Sequence, residues 1–573
     1  MQTMEKIITP AEKEYLFFKD CWAECTVPCT HEVEEPTELM LEMPDGVRLR
    51  TVCYRPKTEQ KKIPVVFQRC CYPNKEKTLR MHAEEFCKRG IAVVFQFCRG
   101  KGGSEGVWVP QTMNERTDGM ALIQYLESLD WVGPMGYWGS SYMALCGLVL
   151  LEGLSDSVKT MYLTHYGTDR YMSVYESGLF RQDLYTGWSR ENMGVPTQVG
   201  HLESCVYRPQ VSLDTDLWGT RLDWYREWVT STQPGDRCWN SGLWNYLRRA
   251  PSVTKIPIYY GASWFDIHCG GAMHAYENLA EESKEQSTFR IGAWEHGFYP
   301  CMRGHKQEHL ENNNAVQALN RFMDILLEGK PAKKKVELYM IGADEWSSYD
   351  TYPLPEDKQM VLYLSDKASS PEAGTLSEDC EAVVAEKTYL YDPQNYVPSC
   401  GGESLFSSRD QRGSVLQPPC GYRPDVISFR TEVIDRDITI VGKIKGKLMV
   451  KSTAEDTAFT VKIMEEFPDG SAYNIRTGIA TLAFRNGMEK RETYTPGTYV
   501  ELEVPTWDVA WKPSLGSRIR VDIASSDFPQ YAIHSNYPGV WAEHAETRIA
   551  EQTLLLGGEN ASKIIFPLLS TSN

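Results

Sequence analysis

Met135-Gly136-Tyr137-Trp138-Gly139-Ser140-Ser141-Tyr142-Met143-Ala144-Leu145 is the stretch on which the fold turns. It reads as a short strand, a tight bend and the first turn of a helix. A serine on such a bend is thrust out of the strand end, and a small residue two positions earlier relieves the crowding that the bend creates. The helix start that follows offers free N–H groups and a positive dipole end to an anion. Gly139-x-Ser141 fits this nucleophile elbow. Met143 stands where the common pentapeptide has a second glycine, and Ser140 competes with Ser141 by sequence alone.

Working outward, an α/β pattern surrounds the bend. Val65–Gln68, Ile91–Phe97, Met161–Thr164, Ile256–Gly261 and Phe289–Trp294 are short apolar runs that read as buried strands. Thr117–Leu129 places Leu122, Tyr125, Leu126 and Leu129 at helical spacing. Apolar strands alternating with helices predict a mainly parallel sheet covered on both faces. Between Tyr166 and Pro251 the pattern gives way to an aromatic-dense, helical insertion. From Leu354 onward, alternating runs and turn signals such as Pro468-Asp469-Gly470 predict an all-β domain. The expected architecture is a mainly parallel α/β domain in residues 1–165 and 251–350, a helical cap in 166–250, and a C-terminal β-sandwich in 351–573.

A serine nucleophile needs a histidine base and a carboxylate to orient it. On this type of sheet they follow in the order Ser, Asp or Glu, His. Asp266 lies just past the run beginning at Ile256, and His296 just past Phe289–Trp294. Strand ends are where open α/β sheets bind ligands. His268 is too close to Asp266 along one loop to serve as the base.

These segments resemble the cocaine esterase-like hydrolases, a family that also includes α-amino acid ester hydrolases and the catalytic core of X-Pro dipeptidyl-peptidases. Gly139-Ser140-Ser141-Tyr142 is similar to the family elbow, which puts the nucleophile at Ser141. Cys98–Gly106, Trp264-Phe265-Asp266 and Gly292–His296 resemble its loop, acid and base segments. Arg423–Val426, Asp456–Val461 and Ser525–Pro529 match its C-terminal signatures. The resemblance covers about residues 38–560 and implies an α/β-hydrolase fold with an inserted helical cap and a C-terminal jelly-roll β-sandwich. It implies an oxyanion hole made by the Tyr142 N–H and the Tyr72 hydroxyl. It also implies hydrolysis of carboxylic esters or amides through an acyl-enzyme, with X-Pro dipeptide release as the alternative. X-Pro dipeptidyl-peptidases of this type carry a large additional N-terminal domain, and about 37 residues precede the first predicted strand here.

Several departures shape the expected substrate. Ammonium-binding relatives carry extra carboxylates beside the acid, where this chain has Ile267 and His268. An apolar pocket is therefore expected, with Phe265, Leu405 and Phe406 as substrate contacts and hydrophobic acyl groups preferred over α-amino acyl groups. No metal or organic cofactor is needed. Cys21-x3-Cys25-x3-Cys29-x-His31 invites a zinc reading, but the spacing is not that of common zinc knuckles and Pro28 breaks any aligning helix.

Lys+Arg 60 against Asp+Glu 77, a net charge of -17, disfavours nucleic acid and anionic membrane partners. No stretch reads as a membrane span or signal peptide, so the cytoplasm is the expected compartment. The expected partner is a small-molecule ester or amide. A homo-oligomer is left open. A binding protein with a silent hydrolase fold is the competing reading from another class.

Overall fold

The computed structural model describes residues 9–355 and 358–569. Its first sheet has ten strands: β1 (Thr37–Glu42), β2 (Arg48–Tyr54), β3 (Ile63–Cys70), β4 (Ala92–Phe97), β5 (Val132–Ser140), β6 (Val158–Thr164), β9 (Ile258–Phe265), β10 (Thr288–Glu295), β11 (Lys335–Met340) and β12 (Glu345–Tyr349). The order is β1-β2-β4-β3-β5-β6-β9-β10-β11-β12. The seven strands from β4 to β11 in that order are parallel, and β1, β2 and β12 are antiparallel edges. The strand expected at Ile256–Gly261 starts two residues later and runs on to the residue before Asp266.

Alternation along the strands feeds two cores. Val65 and Phe67 of β3 pack with Leu122, Leu126 and Leu145 on one side of the sheet. Val66 and Cys70 pack with Leu79, Ala83 and Phe86 on the other. The helix Glu76–Cys87 buries those last three residues at spacings of three and four, one apolar stripe on a polar helix. The helix expected over Thr117–Leu129 occupies Asn114–Glu127.

The segment between β6 and β9 is mainly helical. It holds one two-residue hairpin, β7 (Tyr175–Glu176) and β8 (Leu179–Phe180). Its aromatics pack largely on one another: Tyr171, Tyr175, Trp228 and Trp239 form a core that Trp541 of the C-terminal domain completes.

The C-terminal domain is an eleven-strand sheet, ten strands along one hydrogen-bonded path and an eleventh, Val500–Trp511, paired with Ile440–Ser452 beside it. Gly478 of one strand sits against the Pro505 backbone of another to which it is not hydrogen-bonded, so the sheet folds back on itself. Ile440–Ser452 forms one long strand of this sheet. A register shift between Lys443 and Lys445 marks a bulge that keeps both halves in the sheet. Pro468-Asp469-Gly470 forms the expected hairpin, with Gly470 at φ +84° and Ser471 donating to Asp469. No helix among the described residues is long and apolar enough to cross a membrane.

Candidate active site

At the end of β5 the chain bends at Ser141, whose φ of 58° and ψ of -129° lie outside the regions that L-residues ordinarily adopt. The bend is held from both sides. The Ser141 N–H donates to the Thr164 carbonyl at 2.9 Å, and the Ser141 carbonyl accepts from Ala144 N–H at 2.8 Å. Gly139 makes the bend possible, because a Cβ there would overlap the Met143 and Ala144 backbone. Tyr142 opens the helix Tyr142–Leu148, so its N–H has no intrahelical acceptor.

Adjacent parallel strands deliver the other two groups. Asp266 follows β9, His296 follows β10, and the His296 Nδ1–H donates to Asp266 Oδ2 at 2.7 Å. His268 donates its backbone N–H to the other oxygen, Oδ1. Burial alone would raise the Asp266 carboxyl. The charges of His296 and His165 and the His296 hydrogen bond outweigh it and hold the group well below the usual carboxylate range. His165 lies 3.8 Å from Asp266 and shares a hydrogen bond with Ser263 at 2.8 Å. Burial pushes both His165 and His268 down to about 3, so neither competes with His296 as an imidazolium.

Ser141, His296 and Tyr72 line one cavity of about 1090 Å³, together with Ser140, Tyr142, Leu405 and Phe406. Ser140 belongs to the strand, and its hydroxyl lies 3.4 Å from Nδ1 of the buried His165. Tyr72 caps a short turn after β3, and its hydroxyl accepts from Trp188 Nε1 at 3.3 Å, leaving its own proton free to donate. Burial, reinforced by Cys71, keeps that phenol protonated. The Tyr142 ring stacks on Trp188 at 6.1 Å, and its hydroxyl donates to Glu115 at 2.8 Å.

The loop bearing Leu405 and Phe406 reaches the cavity from the C-terminal domain. Asp183 of the cap tethers it, accepting from Ser404 Oγ, Leu405 N–H and Phe406 N–H at 3.0, 2.8 and 3.1 Å. Phe265 is a correction to the expected substrate contacts. Its side chain is buried in the core, 5.7 Å from the Arg476 guanidinium, and does not line the cavity. It is the last residue of β9 and stays in the core, whereas Ile267, beyond the strand end, lines the cavity.

Three carboxylates of the cap and the base strand are engaged away from the cavity. Glu176 pairs with Arg181 and accepts from Tyr531; Glu295 pairs with Arg409 and Arg412; Asp183 holds the loop. None of the three lines the cavity. Cys21, Cys25, Cys29 and His31 are not gathered within metal-ligand reach among the described residues. Cys98, Glu115 and Cys146 are, but Arg69 already pairs with Glu115 at 2.9 Å. Sequence reasoning missed His165, Trp188 and Arg170. His165 carried a signal, since it too sits past a strand end. Arg170 and Trp188 lay among too many cap aromatics to be singled out.

The X-Pro dipeptidyl-peptidase (S15 family) profile matches residues 45–298, and that of the X-Pro dipeptidyl-peptidase C-terminal non-catalytic domain matches residues 329–565. Cocaine esterase of Rhodococcus sp. (strain MB1 Bresler) is 28% identical, over 93% of this chain and 98% of its own. Two solved structures share the fold. An aminopeptidase from a marine sediment Thaumarchaeota archaeon has a TM-score of 0.80 at 20% identity, covering 96% of this chain and 97% of its own. An α-amino acid ester hydrolase has a TM-score of 0.80 at 22% identity, covering 94% and 97%. The chain is a serine hydrolase and belongs to the family of cocaine esterase-like and X-Pro dipeptidyl-peptidase-like enzymes.

Proposed function

We propose that this enzyme hydrolyses carboxylic esters through an acyl-enzyme on Ser141. The observation that carries the reading is the 2.7 Å Asp266–His296 hydrogen bond at the ends of two adjacent strands, opening on the cavity that Ser141 faces from its strained bend. Ser141 Oγ attacks the acyl carbon while His296 Nε2 takes its proton. Asp266, ionised and buried, fixes the imidazole with Nδ1 protonated and stabilises the imidazolium as it forms. The oxyanion accepts from the Tyr142 N–H and the Tyr72 hydroxyl. Such donors act on charge that develops only in the transition state. His296 then returns the proton to the leaving alcohol, and water repeats the sequence on the acyl-enzyme to release the acid and free Ser141.

Ester rather than X-Pro peptide cleavage is favoured by the cavity wall. A dipeptidyl-peptidase must hold a free α-ammonium, but Glu176, Asp183 and Glu295 are spent on other partners, and on the cavity wall Glu14, Glu191 and Asp410 are outnumbered by Lys13, Lys75, Lys101, Arg170, Arg409 and Arg412. Leu184, Trp188, Ile267, Leu405 and Phe406 supply apolar wall for an acyl chain. The test combines fluorophosphonate labelling with rates on an aryl ester and an X-Pro amide. Stoichiometric labelling that is lost in Ser141→Ala, with the ester turned over faster, is expected. Faster release of the X-Pro dipeptide would favour the peptidase, and absence of labelling would favour a silent protein.

A further inference from the structure

Eight arginines among the described residues are buried: Arg69, Arg89, Arg99, Arg170, Arg181, Arg290, Arg476 and Arg520. Seven of them pair with a carboxylate. Arg170 does not, although it is only 3% exposed. It opens the short helix Arg170–Val174 after β6 and lines the cavity that holds Ser141. Its Nη1 donates to the Tyr185 hydroxyl at 3.0 Å, and its Nε and Nη2 have no acceptor. Rings of Tyr185, Trp228 and Trp244 surround the guanidinium at 4.4, 4.6 and 5.3 Å. Aromatic faces recover part of the lost hydration of a cation, but an unpaired buried charge is still disfavoured. A planar fork with two donors that find no acceptor in the protein fits a carboxylate.

The charge of the cavity points the same way. Lys13, Lys75, Lys101, Arg170, Arg409 and Arg412 line it against only Glu14, Glu191 and Asp410, in a chain whose net charge is -17. A cleft whose sign opposes that of the whole molecule concentrates ligands of the other sign.

We propose that Arg170 is the specificity-determining residue for an anionic substrate: an ester that carries a free carboxylate on an apolar spacer, the carboxylate pairing with the Arg170 guanidinium. This rests on the reading of Ser141 as the nucleophile and adds the substrate class. The spacer lies along Leu184, Trp188 and Ile267, and the same guanidinium repels an α-ammonium.

Two matched pairs of esters test it. The mono-nitrophenyl ester of glutaric acid is compared with nitrophenyl pentanoate, and carboxyphenyl acetate with phenyl acetate, so that the charge sits on the acyl side in one pair and on the alcohol side in the other. The wild-type enzyme is expected to favour the charged member of one pair in kcat/KM by at least about tenfold. Arg170→Met should lower that ratio on the order of 100-fold, the loss typical of removing one partner of a buried charge pair, and Arg170→Lys should restore part of it. No preference in either pair, or a preference that survives in Arg170→Met, overturns the proposal. If Arg170→Met does not fold, glutarate and glutaramide are compared as competitive inhibitors of the wild-type enzyme. Tenfold tighter inhibition by glutarate supports the assignment, and equal inhibition overturns it. Normal fluorophosphonate labelling without anionic preference defeats this inference alone; absence of labelling defeats the Ser141 reading as well.

Discussion

Two adjacent serines end β5, and their backbones separate their chemistry. Ser141 sits on the bend at the helix start, while Ser140 remains in the strand with its hydroxyl toward His165. Ser141→Ala is expected to abolish fluorophosphonate labelling and ester turnover, whereas Ser140→Ala should retain at least about a tenth of the rate, since it loses one long contact. A dead Ser140→Ala that is folded by circular dichroism would move the nucleophile by one residue. Tyr72→Phe removes a single donor and leaves the ring in place, so kcat should fall by about 10²-fold or more with KM little changed. Wild-type kcat in that variant would place the second donor elsewhere. The residues that carry bond chemistry were legible because the elbow, the acid and the base each follow a strand end in a fixed order. Arg170 was not legible, because what distinguishes it is the absence of a carboxylate partner, which only the packed cap reveals.

At the scale of elements, the cleft is closed by a segment from another domain. Asp183 on the cap helix Gln182–Asn192 takes three donors from residues 404–406, and a fourth interaction from His201 at 3.0 Å. Burial opposes its charge, but the His201 hydrogen bond and the loop N–H groups outweigh that and hold the carboxyl low. Asp183→Ala leaves those donors without their acceptor, so Leu405 and Phe406 should lose their fixed position. The expected result is a rise in KM of about tenfold or more for bulky acyl esters, with labelling of Ser141 by a small fluorophosphonate maintained. Equal losses with small and bulky esters would show that the tether acts on the triad instead. Leu405 and Phe406 could be picked out as an apolar pair in a polar loop, but their anchor is 222 residues away in sequence from Leu405. Phe265 misled for the complementary reason. Although next to Asp266 in sequence, it still belongs to the strand and is held in the core, whereas Ile267, past the strand end, lines the cavity. The bulge inside Ile440–Ser452 was hidden likewise, since Gly442-Lys443 reads as a turn unless the partner strand is known to shift its register with it.

The whole molecule buries three imidazoles whose protonation couples to folding. His82 accepts a hydrogen bond from Trp22 Nε1 at 2.9 Å, and His165 and His268 flank Asp266. Burial pushes each of the three from an ordinary value of 6.5 down to about 3. Between those values the unfolded chain binds a proton at each histidine and the folded chain does not, so stability must fall as pH drops below about 6.5. Glu176 acts in the opposite sense. Burial raises it to about 7, against the pull of Arg181, so it holds a proton when folded and releases it on unfolding above its ordinary value of 4.5. For these four groups the balance near pH 5.5 is an uptake of about two protons on unfolding, equivalent to a slope of about 3 kcal/mol per pH unit. Asp266 adds nothing in that window, since a depressed carboxyl gives up its stabilisation only below its ordinary value of 3.8. Urea titrations between pH 7 and 5 measure the slope directly. His82→Gln, which keeps an acceptor for Trp22, should reduce the uptake by about one proton. A stability that is flat across that range would mean that these imidazoles carry their protons inside the fold, and the neutral His165 and His268 on which the Asp266–His296 pair depends would have to be abandoned.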